Sequence, residues 1–192
     1  MARDDAHAQY YEYRMFFHQG TIYKCDGHWN HAEEADPISV KKTGHFPPIL
    51  EISGGAFQTK GAPFSLEFSG FLYHAFDLHN KDPDSKTMVI SCPNLFFRSS
   101  PLIGVEHEDG SKTDLEIRSS FTFGWNRDIH RSHDKNPRPL ASVKKMLTGH
   151  RLIIYEKVSD EELMALLTYL VGINDTSQHR SYANVLINVL IC

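Results

Sequence analysis

The stretch "DLEIRSSFTFGW" (Asp114–Trp125) decides the fold. Leu115, Ile117, Phe121, Phe123 and Trp125 fall on one parity, while Asp114, Glu116, Arg118, Ser120 and Thr122 fall on the other. A strand sends successive side chains to opposite faces, so this alternation predicts one buried and one wet face. Only Ser119 interrupts the apolar parity. A sheet with one wet face is antiparallel, because parallel sheets are covered on both sides.

Working outward, the same period recurs. "FSLEF" (Phe64–Phe68) repeats it in miniature, and "YYEYRMFF" (Tyr10–Phe17) carries aromatic residues on both faces. Further strand candidates are 21–25, 38–42, 49–53, 71–78, 87–92, 102–107 and 151–157. Turn chemistry separates them, most clearly Glu108-Asp109-Gly110 between two strand patterns, which reads as a hairpin. Many short strands with Gly/Pro punctuation predict an antiparallel β-sandwich or barrel, mainly β, with one or two helices near the C-terminus. The fold class is α+β overall.

The helices come late. Ser159-Asp160-Glu161-Glu162 forms a capping box, followed by an apolar stripe of Leu163, Leu166, Leu167 and Leu170, widened by Met164 and Val171. So wide a stripe predicts a largely buried helix, with Gly172 placed to stop it. "PLASVKKMLTG" (Pro139–Gly149) reads as a weaker helix, with Pro at its start and Gly past its end. One domain spans 1–192: an arm at 1–9, a β-rich body at 10–125, a basic loop at 126–139, and a helix-strand-helix-strand tail at 140–192. The final "YANVLINVLIC" (Tyr182–Cys192) stays apolar to its end, which predicts pairing within the sheet or against a second subunit.

The chain has 192 residues, a formal charge of -4 and twelve histidines. That charge argues against general attraction to nucleic acid or anionic membrane. It is unevenly spread: Arg127–Arg151 holds seven Lys/Arg against Asp128 and Asp134, so +5, leaving -9 elsewhere. Three scattered cysteines (Cys25, Cys92, Cys192) are too few for a disulfide framework and point to a reducing, intracellular compartment. No leader-like segment or membrane-length apolar run is visible, so a soluble cytoplasmic protein is expected.

Two segments carry chemistry-bearing residues. "CDGHWNHAEEAD" holds Cys25, Asp26, His28, His31, Glu33, Glu34 and Asp36. "DIHRSHD" holds Asp128, His130, His133 and Asp134. Imidazole, thiolate and carboxylate all bind divalent transition metals such as zinc. His28, His31, His130 and His133 are therefore candidate ligands, with Glu33 or Asp134 available as general base. Arg131, Lys135 and Arg138 could grip an anion. Cys25 or Cys92 could act as a nucleophile. No phosphate-binding glycine loop, no nucleophile elbow and no H-E-x-x-H occurs. The expectation is a binding or self-assembling protein without catalytic activity of its own, acting on a protein partner or as a homo-oligomer. The alternative is a metal-dependent hydrolase built on the two H-x-x-H segments.

Overall fold

A computed structural model describes residues 8–16, 18–33, 35–45, 48–60, 63–69, 75–80, 89–92, 102–107, 109–119, 126–132 and 138–174. Among them, twelve strands follow one another: β1 (Gln9–Phe16), β2 (Gln19–Cys25), β3 (Ile38–His45), β4 (Pro48–Ser53), β5 (Phe64–Ser69) and β6 (Ala75–Asn80), then β7 (Val89–Cys92), β8 (Leu102–Glu106), β9 (Lys112–Ser119), β10 (Asn126–Arg131), β11 (Ala141–Met146) and β12 (Gly149–Ile154). Each pairs antiparallel with the next in sequence. β1 also pairs with β12, from Gln9 opposite Ile154 to Arg14 opposite Gly149. That last ladder turns the sheet into a closed barrel and leaves no edge among the described strands.

The expected alternation sets inside from outside. In β9, Leu115 and Ile117 are fully buried in the core, while Asp114 and Arg118 are exposed. In β5, Phe64, Leu66 and Phe68 point inward; Phe64 meets Phe57 edge-on at 5.7 Å between centroids, and Phe68 meets Phe76 at 6.0 Å. Such edge-to-face pairs are the favoured aromatic geometry. Gly20 makes room on β2 for a neighbour, since a Cβ there would sit 2.5 Å from the Tyr13 hydroxyl. The Asp109-Gly110 turn joins β8 to β9, with Asp109 Oδ1 accepting from the Ser111 amide at 2.8 Å and Gly110 at φ 80°.

The helix at 160–174, here α1, occupies the lumen. Met164 through Val171 are buried without a break, so no face of this segment meets solvent. A helix apolar all round belongs in a core. Its far end locates it on the barrel axis. Gly172 lies against the Phe76 ring of β6, and Asn174 Oδ1 lies 3.1 Å from His150 Nδ1 of β12. β6 and β12 stand opposite each other in the ring. An eight-stranded barrel is just wide enough for side chains to fill, whereas twelve strands leave a wider bore that a helix of roughly 10–12 Å diameter can occupy.

The capping box forms as expected: the Ser159 amide donates to Glu162 Oε2 at 3.0 Å, and the Glu162 amide donates to Ser159 Oγ at 3.2 Å. Three expectations are corrected. Pro139–Gly149 is not a helix; its Ala141 and Val143 face inward as part of β11. The basic loop at 126–139 is strand at its beginning, because Asn126–Arg131 pairs with both β9 and β11. The tail therefore runs strand, strand, helix over its described part. Gly172 does not end α1, which continues to 174; it is small because Phe76 packs where a side chain would go. Residues 120–125 and 175–192, including the end of the opening stretch and the apolar C-terminal segment, lie outside the described residues. Among the described residues, no helix is long and apolar enough to cross a membrane.

Candidate functional site

The chemistry-bearing groups that the fold brings together lie outside the barrel, where β12, β1 and β2 run side by side. Strand register builds one row across this wall. Arg151 is opposite Glu12, and Glu12 is opposite Tyr23; two positions along β1, Tyr10 is opposite Cys25. Inward neighbours Tyr11 and Tyr13 belong to the core, so Glu12 faces outward. It is nevertheless buried, only 4% exposed.

The turn after β2 buries it. Asp26 organises that turn: Oδ1 accepts from the amides of His28 (2.8 Å) and Asn30 (2.9 Å), and Oδ2 accepts from Asn30 Nδ2 (2.9 Å). Aspartate favours such turns because its short side chain reaches amides two or more residues on. These hydrogen bonds hold the Asp26 carboxyl below its ordinary range, with Asn30 contributing most. Cys25 and His31 then form an isolated antiparallel bridge, which folds the turn back onto the wall.

Three aromatic contacts fix the returning segment. His31 stacks flat on Tyr23, with centroids 4.0 Å apart and planes 2° apart. Trp29 covers the Arg151 guanidinium, whose carbon lies 4.3 Å from the ring centroid, and meets Tyr10 edge-on. Trp29 adopts φ 68°, a left-handed conformation that costs a non-glycine residue about 1–2 kcal/mol. The cation–π contact and the turn hydrogen bonds hold it there.

At the centre, Glu12 Oε1 accepts from Arg14 Nε at 3.0 Å. Glu12 Oε2 is buried without a hydrogen-bond partner; Arg151 Nη2 stands 3.7 Å away and His31 Nε2 4.0 Å away. Arg151 Nε is likewise buried without a hydrogen-bond partner. The Cys25 thiol points at the Tyr23 carbonyl at 3.7 Å. Burial pushes its pKa up, and the Glu12 charge adds to this against the opposing pull of Arg151 and Arg14. It is thus a protonated, protected thiol rather than an activated nucleophile. Glu12, Cys25 and His31 each present one ligand atom, all within 4.8 Å of one another.

The fold sorts the expected site residues. His31 and Cys25 enter the cluster. His28 and Glu33 are exposed on the same connection and stay out of it. His130 faces outward on β10 opposite Glu116, buried, and among the described residues it joins no group of three potential ligands. His133, Asp134 and Lys135 lie outside the described residues, as does the Cys92 side chain. Arg138 is exposed. Arg131 is not a free anion grip. Its Nε donates to Glu162 Oε1 at 2.7 Å, Nη2 to Glu162 Oε2 at 3.0 Å and Nη1 to Glu156 Oε2 at 3.0 Å. The guanidinium ties the start of α1 to the wall.

Glu12, Arg151 and Trp29 escaped the sequence reading. Glu12 sits in an aromatic run where alternation marks it as an ordinary outward charge, and its burial follows from a turn more than a dozen residues later. The one usable signal was the Asp26–Asn30 turn chemistry between Cys25 and His31. No family model matches this chain, and neither a curated protein nor a solved structure matches it.

Proposed function

We propose that the chain is a non-catalytic binding protein that works from the outside of its barrel, in the first place by associating with further copies of itself. The observation that supports this is the filled lumen. Barrels that hold small molecules do so inside or at the mouth, and here α1 takes the interior. A cavity of about 280 Å³ at one end, lined by Tyr11, Ile22, Ile38, Leu163 and Leu167 with Lys24 at its edge, is at the small end for ligand sites.

The rim supplies a contact surface. Phe16 is 78% exposed and Leu147 fully exposed, with Met146 beside it. The register places both turns at one end of the barrel, since Gly149 pairs with Met146 and with Arg14. Apolar tips that remain in water favour a second apolar surface. The apolar segment Tyr182–Cys192 is the further contact that the sequence suggests. The free, buried Cys25 fits a reducing, intracellular setting.

The alternative of a hydrolase on His28, His31, His130 and His133 draws less support, because His28 and His130 remain outside the one cluster found among the described residues. Light scattering across a micromolar concentration range tests the reading. A concentration-dependent mass that falls toward the monomer in Phe16→Ser/Leu147→Ser is expected. A strict monomer, or an oligomer indifferent to both substitutions, would overturn it.

A further inference from the structure

We propose that Glu12, Cys25 and His31 hold a zinc-class divalent cation on the outer wall of the barrel, with water as the fourth ligand. One sulfur, one imidazole nitrogen and one carboxylate oxygen form a donor set suited to zinc and its first-row neighbours. Calcium and magnesium demand oxygen shells that this cluster lacks.

Spacing supports the assignment. His31 Nε2 and Glu12 Oε2 are 4.0 Å apart. That exceeds any hydrogen bond. It is close to the edge of a tetrahedron built from bonds of about 2.0–2.1 Å, which spans roughly 3.3–3.4 Å. Closing the Glu12–His31 edge takes a fraction of an ångström at His31, whose side chain is 39% exposed, and Cys25 Sγ lies within 4.8 Å of both partners.

The second, independent observation is the orphaned oxygen. Glu12 is more than nine-tenths buried, and its Oε2 points into the cluster without a hydrogen bond. A buried, unsatisfied carboxylate oxygen is costly unless something occupies its lone pairs. Arg14 holds the other oxygen, which fixes the carboxylate in a one-oxygen binding pose. Arg151 stays 3.7 Å off, its guanidinium carbon 4.3 Å from the Trp29 ring centroid.

Two anionic ligands offset the ion's own charge, while Arg14 and Arg151 each add a positive charge beside Glu12. The ion's two positive charges meet one carboxylate and the thiolate formed when Cys25 gives its proton to solvent on binding. Arg14 is half exposed, so water screens its repulsion. A bound ion would staple the connection after β2 to strand β1.

Twelve histidines make indiscriminate metal uptake easy, so the readout must be specific for sulfur. Tag-free full-length protein is titrated with cobalt(II) and followed for a thiolate-to-cobalt charge-transfer band, then back-titrated with zinc against a chromophoric chelator. One cobalt per chain with the band, displaced by zinc, is expected. Cys25→Ser should abolish the band, and His31→Ala should weaken zinc binding at least tenfold while the metal-free protein still unfolds cooperatively, its Tm lowered only by the lost stacking on Tyr23. No band in the parent protein, or affinity equal to the parent's in His31→Ala, would overturn the assignment.

Discussion

Acidification should loosen the helix from the lumen through one histidine. His150 points inward from β12, is 4% exposed, and holds Asn174 at the end of α1. Burial lowers its pKa from an ordinary 6.5 to about 4; the Asn174 hydrogen bond opposes this, while Lys145 and Arg127 add to it. The folded protein therefore resists a proton that the unfolded chain accepts. Stability from this residue is complete above about pH 6.5 and is lost as pH falls toward 4, where the folded form begins to take up the proton itself. A tenfold difference in proton affinity between the folded and unfolded chain is worth about 1.4 kcal/mol, so the full effect approaches about 3 kcal/mol, and at pH 5 about 2 kcal/mol is gone. For a chain of this size that corresponds to roughly 4–8 °C in Tm. Thermal unfolding at pH 7 and pH 5 measures it directly. His150→Gln keeps a partner for Asn174 but has no proton to gain, so its Tm should fall distinctly less between the two pH values. Equal falls in parent and variant would refute the placement of His150 and, with it, the seating of the helix end.

Two further substitutions probe the same core. Leu166→Ala, in the middle of α1 and fully buried, should cost about 2–5 kcal/mol by denaturant titration, with an unchanged slope if the barrel stays intact. Glu162→Ala removes the cap of α1 and leaves Arg131 with Glu156 as its remaining carboxylate partner, so a loss of about 2 kcal/mol or more is expected. Burial pushes the Glu162 carboxyl up, yet the Arg131 and Ser159 hydrogen bonds more than offset it and leave it lowered. Its stabilising contribution is present above its ordinary 4.5 and is lost as pH falls through the lowered value, so the penalty of Glu162→Ala should shrink in strong acid.

The strands were legible where a single face is wet. Leu115 and Ile117, or Phe64, Leu66 and Phe68, announce their burial because polar residues separate them. β10 hid itself because both of its faces carry polar groups: Asp128 and His130 outside, Arg127 and Arg131 inside. There the inward arginine is satisfied by α1, a partner 31 residues away that no local pattern reveals. β11 was hidden by its ends, since a Pro before and a Gly after suit a hairpin strand as well as a helix. The capping box at Ser159 was legible because it is wholly local. The outer-wall cluster was half legible: Cys25 and His31 share one turn, but Glu12 joins them only through strand pairing.

Closure through β1 and β12 also governs how the molecule can be made. Gln9 finds its ladder partner in Ile154, and α1 follows that strand directly in the chain. During synthesis, then, the chain through Ile154 must leave the ribosome before the wall can complete itself, and the plug emerges later still. Because α1 follows β12 directly, closing the wall and seating the plug both wait for the same late part of the chain. Contacts so distant in sequence make for slow folding and a long exposure of apolar strands. Nascent chains of this protein should therefore depend on chaperones until α1 is free.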